Sequence, residues 1–229
     1  MYTHETELKD TIVQVVYCRL PTETEWRERL VFAMNEWLQP IREYRQWQDR
    51  CRFWMGRKLL AYLLTPTYTH FNLNSIRYTN YGRPYIEHCC DFNISHSGDF
   101  VIASVTTNGR IGIDIEQIKD VCIDDFVEIL SPDQLNIIKK DEEPTSMFYR
   151  IWTMRESVVK LLGSGISTPL QNILSDFSTA RIYNSTYYLK ELDIDKKYSL
   201  YLATDRIVSS LSLKELKFKQ VTTLPEMLK

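Results

Sequence analysis

The chain opens its first readable element at Ile12–Tyr17, where Ile-Val-Gln-Val-Val-Tyr is rich in β-branched residues and predicts a strand. The period then lengthens. Trp26, Leu30, Met34 and Trp37 recur at helical spacing, and Thr22 with Glu25 forms a capping box just ahead of them. After Pro40 a second helix is written by Tyr44, Trp47, Cys51, Met55, Leu59 and Tyr62, an aromatic-rich stripe that reads as core packing. Turn chemistry in Asn80-Tyr81-Gly82-Arg83-Pro84 separates two short strands. Phe100 to Thr107 predicts a strand, Asn108-Gly109 a two-residue hairpin turn, and Arg110 to Glu116 an antiparallel return.

Further along, Ser131 caps a helix with Pro132 at its first position and Gln134 closing the box. Pro144 opens a long helix through Leu162, stopped by Gly163. Tyr187–Leu192 and Tyr198–Ala203 are strand-like runs. Strands and helices mixed in this way predict an α+β fold with largely antiparallel sheets. No low-complexity segment, Gly/Ser linker or internal repeat interrupts the pattern.

Composition narrows what such a fold is for. With 229 residues there is enough chain for one large domain or two small halves packed together. No stretch approaches the ~20 apolar residues of a membrane span, and Met1–Asp10 is too polar and mixed in charge for a secretory signal. A net charge of −2 argues against bulk nucleic-acid binding, so a polyanion would have to be met by a local cluster of Lys and Arg. Cys18, Cys51, Cys89, Cys90 and Cys122 show neither CxxC pairs nor His partners at zinc spacing. They read as free, buried thiols of a cytoplasmic chain.

Three clusters carry candidate chemistry. In Ile111-Gly112-Ile113-Asp114-Ile115-Glu116 the strand period sends the isoleucines to one face and Gly112, Asp114 and Glu116 to the other. Two carboxylates side by side, with open space left by the glycine, are either a solvated polar face or a seat for a hard cation such as Mg²⁺. On the long helix Trp152, Glu156 and Lys160 form an i, i+4, i+8 stripe, which is a surface ion pair or an acid and a base placed together. In Asn93-Ile94-Ser95-His96-Ser97-Gly98, adjacent residues of an extended chain point apart. Ser95 and His96 are therefore poorly placed as nucleophile and base. His96 is left as a structural histidine or a phosphate contact.

Taken in order, Asn93-Ile94-Ser95-His96-Ser97, Gly112-Ile113-Asp114-Ile115-Glu116 and Trp152-Thr153-x-x-Glu156-Ser157-x-x-Lys160 closely resemble the motifs of the Sfp-type 4'-phosphopantetheinyl transferases. The likeness reaches Asp49-x-x-Arg52, Gly56, Tyr81-Gly82-Arg83-Pro84 (where that family often has Gly-Lys-Pro) and Gly163-x-Gly165-Ile166-Ser167.

The resemblance implies two α/β halves related by a pseudo-twofold, divided into 1–118 and 119–229, with coenzyme A in the cleft between them. It implies Mg²⁺ held by Asp114, Glu116 and Glu156, and transfer of phosphopantetheine to a serine of an apo acyl or peptidyl carrier protein. Glu156 would be the general base and Lys160 would hold the pyrophosphate or orient Glu156. Ser95, His96 and Arg83 would meet coenzyme A phosphates, and Arg52 the 3'-phosphate or adenine side. Arg42 and Arg45 stand where relatives carry basic residues, and Arg155 replaces a common Lys beside the motif glutamate, with a phosphate or carrier contact implied. The length suggests a monomer. Two other classes share features of this reading: a metal-dependent nucleotide phosphohydrolase, and a non-catalytic module that binds carrier proteins.

Overall fold

The computed structural model describes residues 10–36, 44–68, 72–165, 173–182 and 184–224. Strand β1 (Ile12–Arg19) leads into α1 (Glu23–Glu36), whose start is fixed by the predicted box. Thr22 N donates to Glu25 Oε2 at 2.9 Å, and Glu25 N to Thr22 Oγ1 at 3.3 Å. Trp26 is buried, while the side chains of Leu30 and Met34, and Trp37 altogether, lie outside the described part. Helix α2 (Trp47–Leu64) buries Cys51, Met55 and Leu59 as its stripe requires, but Tyr44 stands exposed ahead of it.

Next come the short pair β2 (Arg77–Tyr78) and β3 (Pro84–Tyr85), then β4 (Asp91–Ser97), β5 (Phe100–Thr106) and β6 (Ile111–Gln117). Helix α3 (Pro132–Lys140) carries the predicted capping box of Ser131 and Gln134, and α4 (Pro144–Leu162) follows. Strands β7 (Leu174–Ser175), β8 (Thr179–Ile182), β9 (Ser185–Glu191), β10 (Tyr198–Thr204) and β11 (Ser210–Glu215) precede the short α5 (Phe218–Thr222).

The larger sheets run β11-β1-β5-β4 and β6-β10-β9-β8-β7. Among the described residues every pairing in them is antiparallel except β1 with β11, which is parallel. The expected β5–β6 hairpin does not form. Both edges of β5 are taken, by β1 and β4, so the chain turns after Thr107 and β6 joins β10 in the other sheet. Consequently the division expected near residue 118 is crossed twice: β6 lies in the second sheet and β11 in the first.

Alternation along the strands builds three cores. One face of the first sheet packs on α2 through Val16, Cys18, Val101 and Ala103. One face of the second packs on α4 through Tyr201 and Ala203. Between the sheets, Val13, Val15, Phe100 and Ile102 meet Ile111, Ile113, Ile115, Leu200 and Leu202. The layers therefore run helix, sheet, sheet, helix, and the fold is α+β. All five cysteines are free: Cys18 and Cys51 are buried as expected, Cys89 and Cys90 half-buried, and Cys122 exposed.

Candidate active site

The isoleucines of β6 fill the core between the sheets, which turns Gly112, Asp114 and Glu116 toward α4. The space at Gly112 is not open. A Cβ there would stand 2.0 Å from the Ser157 carbonyl oxygen and 2.5 Å from Leu161 N, so the helix backbone itself uses the missing side chain. This close approach brings the Glu156–Lys160 stripe over the carboxylates. Lys160 Nζ donates to Asp114 Oδ1 at 2.5 Å and to Ser95 Oγ at 2.8 Å, and Ser95 Oγ donates to the same carboxylate oxygen at 3.1 Å.

A second set of bonds fixes β6 from its other side. That edge carries the amides of residues 111, 113, 115 and 117, and among the described residues no strand ladder covers it. Side chains of β4 take their place: Asp91 Oδ2, Asn93 Oδ1, Ser95 Oγ and Ser97 Oγ accept from these four amides in turn, at 2.8–3.3 Å. The polar alternation Asp-x-Asn-x-Ser-x-Ser is thus a stitch between the sheets, satisfying donors that burial would otherwise strand. Ser97 also donates to Glu116 Oε2 at 2.7 Å, setting that carboxylate in place.

The site holds more negative charge than it neutralises. Asp114 is 3% exposed, and its Oδ2 is buried with no hydrogen-bond partner among the described residues. Burial pushes its carboxyl above the usual range, against the pull of Lys160. Glu116 is raised by burial, with Ser97 opposing and the Asp114 charge adding. Glu156 is raised by burial and then by the charges of Asp114 and Glu116, with only Lys160 opposing. Among the described residues, no three acidic, imidazole or thiol groups form a finished metal shell. The donor set nevertheless suits a hard cation: oxygen ligands only, one of them buried and unpartnered, in mutual repulsion.

On the opposite face of β4, Phe92, Ile94 and His96 border a cavity of about 330 Å³. Tyr44, Phe53 and Tyr78 supply aromatic walls, and Arg52 and Arg57 supply charge. His96 is exposed as a residue, yet its basicity is lowered, first by desolvation and then by the Arg52 and Lys160 cations.

Comparison with known proteins gives the same direction. The family model of the 4'-phosphopantetheinyl transferase superfamily matches residues 110–212. A 4'-phosphopantetheinyl transferase of Bacillus subtilis is 30% identical over 203 residues, covering 81% of this chain and 88% of that protein. The chain belongs to the Sfp-type 4'-phosphopantetheinyl transferase family. Strain 168 of the same organism has a 4'-phosphopantetheinyl transferase Sfp that is 29% identical, with the same coverage of both chains. An L-aminoadipate-semialdehyde dehydrogenase-phosphopantetheinyl transferase of Schizosaccharomyces pombe is 30% identical over 48% of this chain and 51% of its own.

In this phosphopantetheinyl transferase the predicted residues fall into three groups. Asp114, Glu116, Glu156, Lys160 and Ser95 meet where β4, β6 and α4 converge. His96 and Arg52 border the cavity, Arg52 being held by Asp49 at 2.8 Å and the Gly98 carbonyl at 2.7 Å. The other arginines depart from expectation. Arg155 is fully buried, donating to the Ile129 carbonyl at 2.8 Å and to Gln134 Oε1, so it anchors α4 on α3 and offers no surface to a phosphate or carrier. Burial brings its guanidinium down to about 10. Arg83 is also buried and spends its donors inside the fold. Arg45 is exposed ahead of α2, and Arg42 lies outside the described residues.

The sequence pattern assigns Tyr44 to core packing and gives no site role to Phe53, Arg57, Tyr78 or Ser97. Tyr44 was absorbed into a helical stripe that begins three residues later. The signal for Ser97 was present in the period-two polar run of β4.

Proposed function

We propose that the enzyme transfers the 4'-phosphopantetheine arm of coenzyme A to a serine hydroxyl of an apo acyl or peptidyl carrier protein, releasing 3',5'-ADP. The observation that carries this reading is the seating of Glu156 and Lys160 over Asp114, beside a cavity with aromatic walls and cations. The nucleotide end of coenzyme A is placed in that cavity, its base against Tyr44, Phe53 or Tyr78 and its phosphates toward Arg52 and His96. This leaves the pyrophosphate at the seam, within the reach of Lys160.

There the serine oxygen attacks the phosphorus that bears the pantetheine arm. A new P–O bond forms, and the bond to the bridging oxygen breaks with its electron pair leaving on 3',5'-ADP. Glu156 takes the serine proton, directly or through water. A carboxylate raised by burial and by its neighbours is a stronger base at neutral pH than a solvated one. Lys160 steadies the pyrophosphate, and Ser95 and Ser97 hold Asp114 and Glu116. Asp114, Glu116 and Glu156 would hold Mg²⁺, which when bound supplies charge neutralisation for the pyrophosphate. Positioning and neutralisation are the main demands of such a displacement. The reading takes the enzyme as a cytoplasmic monomer; among the described residues, no helix is long and apolar enough to cross a membrane.

The test is an intact-mass assay of an apo carrier protein with coenzyme A and Mg²⁺. A gain of one phosphopantetheine per carrier is expected. Coenzyme A cleaved without any gain would indicate a phosphohydrolase, and a carrier bound but unchanged a binding module; either would overturn the reading.

A further inference from the structure

Arg83 sits where three elements meet the active site. Its Nη1 and Nη2 fork onto Asp91 Oδ1 and Oδ2 at 2.8 and 2.7 Å. Nη2 also donates to the Ile111 carbonyl at 2.9 Å, and Nε to the Lys160 carbonyl at 2.8 Å. Asp91 Oδ2 in turn accepts from Ile111 N at 2.8 Å, so the pair grips both backbone groups at the start of β6. The side chain is 7% exposed. At Gly163, the left-handed cap of α4, a Cβ would come within 2.6 Å of Arg83 Cδ, so the stem of the arginine lies against the helix end.

These contacts bear on the chemistry through Lys160. The last carbonyls of a helix have no partner inside it, and a cation there is favoured by the helix dipole. Arg83 supplies both needs at the very residue whose Nζ reaches Asp114 and Ser95. We propose that the Arg83–Asp91 pair is a positioning latch: it sets where the end of α4 stands on β6, and so where Lys160 and Glu156 stand against Asp114. It does not hold a phosphate of coenzyme A. A bidentate fork with a third and fourth bond to backbone carbonyls fixes direction as well as distance, and a lysine, with three donors on one atom, cannot reproduce it.

This inference rests on the transferase reading above, and its test separates the two. Arg83→Lys and Asp91→Asn are compared with the parent enzyme in transfer to an apo carrier, with coenzyme A varied and folding checked by circular dichroism. A latch predicts that both variants lose kcat by roughly 10–100-fold, since small misplacements of reacting groups are costly. KM for coenzyme A should stay within about threefold, because no phosphate contact is lost. A phosphate contact predicts the opposite: Arg83→Lys raises KM, while Asp91→Asn, which frees the guanidinium, leaves kcat intact. That result overturns the latch, as does failure of both variants to fold, which would make the pair a stability element only. Hydrogen exchange gives a readout independent of activity. Amides of the last turn of α4 should exchange at least about tenfold faster in both variants, with those of α2 unchanged. Should the parent transfer nothing, the transferase reading fails and the exchange result alone decides the latch.

Discussion

Glu156 is the residue at which stability and function pull apart most clearly. Burial and the charges of Asp114 and Glu116 raise its folded pKa above the unfolded value of roughly 4.3, against the opposing Lys160 cation. A carboxyl raised in this direction binds its proton more tightly when folded, so stability falls as pH rises through the interval between the two values. Glu156→Gln keeps the shape and removes the penalty. Its melting temperature should exceed that of the parent at pH 7, and the difference should shrink as pH falls and vanish at about pH 3, where both states of the parent are protonated. Thermal scans across that range without added metal check the sign; a variant less stable than the parent at pH 7 would refute it. Single-turnover transfer should meanwhile drop roughly 10²–10⁴-fold if Glu156 is the base. Recognition of the nucleotide is separable from this chemistry. His96→Ala and Arg52→Ala should each raise KM for coenzyme A about tenfold or more, the size of a lost charge-assisted contact, with KM for the carrier little changed. Dephospho-coenzyme A refines the test: equal discrimination by parent and Arg52→Ala would remove Arg52 from the 3'-phosphate.

At the scale of elements, the site exists because α4 touches β6 through Gly112 and β4 stitches β6 from its other edge. Gly112→Ala places a methyl 2.0 Å from the Ser157 carbonyl oxygen, a backbone atom that cannot rotate away. The helix must lift, at a cost of about 1–3 kcal/mol, and transfer should fall with it because Glu156 and Lys160 ride on that helix. Denaturant titration and the carrier assay measure the two losses; a variant with full activity would show that the contact does not set the site. Asn93→Ala strands the buried Ile113 amide, at a cost of about 1–3 kcal/mol, without touching any carboxylate. The β6 face, the long helix and its glycine stop were legible because period and capping are local properties of sequence. What Gly112 is for was not, since a missing side chain reads the same whether solvent or a helix fills the space. Arg155 and Arg83 misled for a related reason. Their charge is legible, but which partner satisfies it depends on distant residues, Gln134 and Ile129 for one, Asp91 and Lys160 for the other. Asn108-Gly109 predicts a β5–β6 hairpin because turn chemistry reports a reversal of the chain and not which strand already occupies the edge.

For the whole molecule the question is whether residues 1–118 and 119–229 are units that fold by themselves. The strand exchange argues that they are not. A fragment ending at residue 118 keeps β1, β5 and β4 but lacks β11, which covers β1 along Ile12–Tyr17, and Leu216 and Val221, which are buried in its core. It also retains β6 with no β10 to pair with, leaving Ile111, Ile113 and Ile115 without Leu200 and Leu202. The complementary fragment keeps α4 and β10 but loses the strand that both pack upon, together with Asp114 and Glu116. Each piece would expose an unpaired sheet edge and an apolar face, conditions that favour aggregation over folding. Made separately, the fragments should therefore lack cooperative thermal transitions and near-ultraviolet circular dichroism. Mixed after dilution from denaturant, they should recover both, and transfer with them, because the missing strand of each is present on the other. A cooperative melt from either fragment alone would show that the exchanged strands decorate independent halves, and the stitch between β4 and β6 would then be a contact between domains and not the middle of one fold.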